Sequence, residues 1–92
     1  MPSLFMVGGY KVFFWSSENN EPIHVHICKG RPSANATKVW ITSKGKGILA
    51  NNRSRIPENE LRELLDIISA QFFLICDEWR KHFLLDEIQF YC

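Results

Sequence analysis

Two histidines separated by one residue, His24 and His26, stand in the run EPIHVHICKG (Glu21–Gly30), with Cys28 two positions further on. These residue types support three kinds of chemistry. Two imidazoles on one strand face can hold a single Zn²⁺, with Cys28, or more remotely His82 or Cys76, completing the set. However, a catalytic zinc site takes three protein ligands and a structural one four, and His-x-His supplies only two. The imidazoles also titrate near neutral pH and could exchange protons as general acid and base in a metal-independent ribonuclease, with Lys11, Lys38, Arg31 or Arg53 contacting phosphate. The spacing is not diagnostic of such an enzyme. Third, the pair can serve as recognition or structural residues that hydrogen-bond backbone or partner groups and fix the loop after Pro22. Neither cofactor nor metal is expected from this reading.

Side chains two apart on a strand share a face, so the flanking elements decide which residues accompany the histidines. The aromatic and β-branched run Tyr10–Trp15 reads as a first strand, followed by the turn material SSENNEP and then by a second strand, His24–Cys28. Thr37–Thr42 alternates cleanly as a third. The turn SKGKG leads to Ile48–Ala50, its short hairpin partner. Alternation sets Val12, Phe14, Val25, Ile27, Val39 and Ile41 on one side. The other side receives Lys11, Phe13, Trp15, His24, His26, Cys28, Lys38, Trp40 and Thr42.

From Pro57 the period changes. Leu61, Leu65, Ile68, Phe72, Ile75 and Trp79 recur at spacings of four and three, with Leu64, Ile67 and Leu74 widening the stripe. One long helix from about 57 to 83 is predicted, with Glu58 and Glu60 near its positive end and Arg80, Lys81 and His82 near its negative end. Phe73 falls on the polar side. The tail DEIQFY alternates well enough for a fifth strand or an arm. The expected fold is α+β: a small antiparallel sheet of about four strands (strand-rich over 8–51) with one long C-terminal helix packed on the aliphatic face and a tail over 84–92.

That arrangement leaves a face of imidazoles, lysines and tryptophans. Aromatic and basic groups together make a binding surface for a protein partner or for RNA, with His24, His26, Lys11, Trp15, Lys38 and Trp40 as its candidate residues. Alternatively, the face is covered by the N-terminal segment, the C-terminal tail or a second copy in a homodimer. The turn KGKG lacks the P-loop pattern and reads as a hairpin rather than a phosphate cradle.

Ninety-two residues make one domain. A formal net charge of +1 gives no reason by itself to invoke nucleic acid or membrane. Cys28, Cys76 and Cys92 are odd in number and widely spaced, which argues against a disulfide framework and for a reducing compartment. The opening MPSLFMVGGY lacks a basic region, and nowhere do about 18 uncharged apolar residues run together, so a cytoplasmic protein without a membrane partner is expected.

EPIHVHICKG, KVWI, ILANN and ELRELLDIISAQFFLICDEWRKHF, in that order, resemble the small bacterial proteins grouped as domain of unknown function 4160. There an EPPHVHV element precedes a KFWL-like strand, an LASN-like element and a helix with EL near its start and Trp near its end. The resemblance spans about residues 8 to 83. Ile23 stands where the family has a second proline, which frees one backbone N–H. The resemblance implies a neighbouring protein partner, in pairs that look like toxin–antitoxin modules. It implies no catalytic residues.

Overall fold

Paired glycines open the sheet. Gly8 and Gly9 both adopt positive φ (52° and 85°), the backbone of a two-residue hairpin turn that twists with its strands. They join β1 (Ser3–Val7) to β2 (Tyr10–Phe13), with Val7 opposite Tyr10. β3 (His24–Lys29), β4 (Thr37–Ile41) and β5 (Gly47–Asn51) follow, each antiparallel to its predecessor, so the five strands lie in sequence order. The computed structural model describes residues 3–16 and 20–92. Residues 17–19 of SSENNEP, and Met1 and Pro2, lie outside the described residues.

The chain is therefore α+β, with one more strand than expected. β1 supplies the extra strand and starts the strand-rich part before residue 8. The β4–β5 connection is the hairpin expected of SKGKG. Gly45 takes φ 80°, its N–H donates to the Thr42 carbonyl, and the Thr42 N–H donates to the Lys46 carbonyl.

The single long helix is corrected to two, α1 (Glu58–Ala70) and α2 (Phe72–Phe83), separated at Gln71. Gln71 has φ −99° and ψ 20°, and its N–H is shared between the carbonyls of Ile67 and Ile68. The buried positions Leu61, Leu64 and Ile68 of α1 and Ile75, Cys76 and Trp79 of α2 stay in helical phase across the break. Apolar periodicity therefore could not disclose it. Phe73 is 82% exposed, and Leu74, expected to widen the stripe, faces solvent as well.

The aliphatic faces meet the helices as alternation requires. Val12, Phe14, Val25, Ile27, Val39 and Ile41 share one core with Leu61, Leu64, Ile68, Ile75, Cys76 and Trp79. Gly47 allows close approach of α1 to β5, since a Cβ there would lie 3.3 Å from Leu65 and 3.0 Å from Val39. The loop into α1 is fastened by side chains that replace a backbone ladder. Thr37 Oγ1 donates to Asn52 Oδ1 (2.8 Å), which also accepts the Ile56 N–H, while Asn52 Nδ2 donates to the Ile56 carbonyl.

The tail is an arm rather than a strand. Gln89 accepts the Ile23 N–H (2.9 Å) and the Cys92 carbonyl accepts the Ser43 N–H (3.0 Å), so the chain crosses the end of the sheet where β3 begins and β4 ends. Its alternation has a structural use. Ile88 and Phe90 pack on the helix-side core, and Tyr91 stacks on Trp40 on the opposite face.

Candidate functional site

β2 pairs with β3 only as far as Phe13 opposite His26, whereas β3 begins two residues earlier. Beyond the end of β2, helix α2 and the arm close around His24. Its ring meets Trp79 (5.3 Å between centroids), Trp40 (5.5 Å) and His26 (5.1 Å), each edge-to-face. Nδ1 of His24 lies 2.9 Å from the Pro22 carbonyl oxygen, which can only accept. In this arrangement Nδ1 therefore carries the proton and donates it. The carbonyl of Pro22, two residues before the histidine strand, thus sets the orientation of its first imidazole.

His26 stacks on Phe13 (5.5 Å, 28°), and Trp15 closes edge-on against Phe13 (5.1 Å). Phe13, Cys28 and Ala36 form a small second cluster with Trp15 packed against it. Of the two expectations for this face, open or covered, the imidazoles meet the covered one. His24 is 0% exposed and His26 7%, and Phe13 and Cys28 are buried beside them. The chain itself covers this part of the face.

The remaining candidates lie toward the surface. Lys38, opposite His26, bonds Glu21 (2.6 Å) and holds its ammonium 4.2 Å from the centroid of the Trp40 ring. Trp40 is half-buried, because Tyr91 lies parallel to it at 5.0 Å and 6°. Lys11 is opposite Cys28, at the far end of the face from Trp40. The structure thus joins His24, Trp40 and Lys38 in one group and His26 and Trp15 in an adjoining one, and leaves Lys11 apart from both. Sequence reasoning did not single out Glu21, Tyr91 or the role of Trp79 as a wall of His24. The alternation of the tail offered a signal only for Tyr91.

The zinc alternative does not assemble, because His24, His26 and Cys28 form no metal-binding group, nor does any other set of three or more His, Cys, Asp or Glu among the described residues. The Cys28 thiol makes a long contact with the Gly30 carbonyl (3.8 Å), and burial pushes its pKa up against the pull of Lys11. Burial raises Cys76 in the same way, opposed by Arg80. Tyr10 is also raised, first by burial and then by its bond to Glu60 (2.8 Å).

All three groups therefore hold their protons longer in the folded state. Their stabilising contribution is complete below the unfolded values and is lost as pH rises through the folded ones. Urea melts should show stability falling from about pH 9 upward, and Tyr10→Phe should flatten the part above about pH 10. A profile unchanged across that range would mean that folding does not raise these three groups.

Taken together, the antiparallel meander, the broken C-terminal helix and the enclosed His-x-His strand define a small α+β domain. The family described as "Domain of unknown function (DUF4160)" matches residues 9–80, and the chain belongs to it. The arm that brings Tyr91 to Trp40 lies outside the matched region. No curated relative and no solved structure matches the chain. Among the described residues, no helix is long and apolar enough to cross a membrane.

Proposed function

We propose that this chain is a small protein-interaction module, one member of a toxin–antitoxin-like pair, which meets its partner through the Trp40 end of the histidine-bearing face. The observation carrying this reading is a contiguous patch. Tyr91, 57% exposed, stacks on Trp40, and Ile48, 40% exposed, is the strand partner of Trp40. Single exposed apolar side chains are ordinary, as Met6, Phe73 and Leu84 are here, but adjoining aromatic and aliphatic groups with lysines at their rim fit a partner surface. Lys38 lies on one side of the patch. On the other, Lys44 and Lys46 line a groove of about 520 Å³ shared with Ile48 and Cys92.

The histidines support this surface from beneath. A fully covered His24 has no face open to a phosphodiester, which weighs against the ribonuclease alternative. The test is co-purification of the protein encoded beside this one, comparing wild type with Trp40→Ala and Tyr91→Ala. Truncating a central aromatic anchor costs about 2 kcal/mol or more, so affinity should fall at least ~30-fold while circular dichroism stays native. Native-like variants with unchanged partner affinity would overturn the reading, as would binding of single-stranded RNA in place of any protein.

A further inference from the structure

The sheet ends at β5, whose outer side carries no partner among the described residues. The hairpin fixes which backbone groups are left there. The Thr42 N–H bonds the Lys46 carbonyl, and the Ile41 N–H points the other way, to the Ile23 carbonyl on the β3 side. Antiparallel bonding alternates, so Ile48 exchanges its bonds with Trp40, and Gly47 and Leu49 turn their N–H and C=O groups outward. Asn51 is opposite Lys38 and Leu49 opposite Val39, which leaves Ala50 as a bulge that ends the regular open edge. Within that edge, Ile48 presents to the Trp40–Tyr91 face and Leu49 to the helix side, 40% and 39% exposed. Edges are normally guarded by an inward charge or a proline, and the Gly47–Leu49 run contains neither.

Charge distinguishes the ends of this edge. Lys44 and Lys46 precede it, Arg53 and Arg55 follow it, and none of the four has a carboxylate partner among the described residues. We infer that β5 accepts an extended segment of a partner protein as a sixth strand, with an apolar centre over Ile48 and Leu49 and acidic residues at both ends. This deepens the interaction reading above and rests on it, naming the backbone groups and the charge of the occupant. Main-chain bonds would supply affinity, and the flanking lysines and arginines would select acidic segments.

The probe is a synthetic peptide of alternating valine and threonine between pairs of glutamates, compared with a lysine-flanked version and with oligouridine RNA. Its addition should slow exchange and shift the NMR resonances of the Gly47 and Leu49 amides, and its affinity should fall with salt. Leu49→Pro removes an outward N–H at an edge position, where proline is tolerated, and should weaken the peptide about tenfold. The amide measurement on wild type is independent of whether that variant folds. Failure of the acidic peptide to bind overturns the inference. So does equal binding of the lysine-flanked peptide, preference for oligouridine, or self-association of the chain mapped to the same amides. A partner lost on Trp40→Ala but retained by a folded Leu49→Pro would reject strand addition and leave the interaction reading standing.

Discussion

Alanine in place of Trp79 is expected to lower unfolding stability by about 3–5 kcal/mol, the range for deleting a large aromatic from a close-packed core. Against a total of about 5–15 kcal/mol for a domain of this kind, that is a large share. Trp79 is 1% exposed and packs against Phe14 (5.1 Å) and Phe83 (4.6 Å), with His24 also in ring contact. With His82 and Phe83, which also meet Phe14, it fastens α2 to the open end of the sheet. Its removal leaves a cavity and also takes away one wall of the His24 pocket. Trp79→Phe restores part of the volume and should recover more than half of the loss. Urea denaturation of the three proteins decides the matter. A Trp79→Ala loss below about 1 kcal/mol would mean that the helix is held mainly elsewhere.

Much of this was legible in the sequence wherever a period applied. Period two placed His24, His26, Trp40 and Lys38 on one face and the valines and isoleucines on the other, and the registers agree. Period 3.6 placed Trp79 in the core. The failures occurred where position along an element mattered more than phase. The mark of β1 in the sequence is Gly8-Gly9, since two consecutive glycines at positive φ form the turn that makes a strand of what precedes them. The break at Gln71 left the apolar phase intact and carries neither glycine nor proline to mark it. Alternation also assigns a face but cannot say what lies above it. The burial of the histidines follows from β2 stopping at Phe13 and from the arm crossing the sheet end, which are consequences of chain length and path. Glu21 illustrates the same limit: its pairing with Lys38 depends on how the chain enters β3.

His24 separates support from catalysis. His24→Ala should cost about 2–4 kcal/mol, because it removes the bond to the Pro22 carbonyl (about 1 kcal/mol) and three edge-to-face ring contacts at about 0.5–1.5 kcal/mol each, offset where the pocket relaxes. His24→Asn keeps an amide N–H close to the position of Nδ1 but has no group that titrates near neutral pH, and should recover about 1 kcal/mol of that loss. The comparison is informative because the two roles make opposite forecasts for asparagine. A supporting imidazole predicts that folded His24→Asn protein binds its partner nearly as wild type does, with the Trp40–Tyr91 stack in place. A general acid or base predicts that the same folded variant loses its cellular effect and any RNA cleavage entirely, since proton transfer at that position is gone. Partner affinity and RNA integrity, measured on His24→Asn at a temperature where it is fully folded, therefore distinguish a strut beneath an interface from a catalyst. Retained affinity with RNA left intact is the expected result.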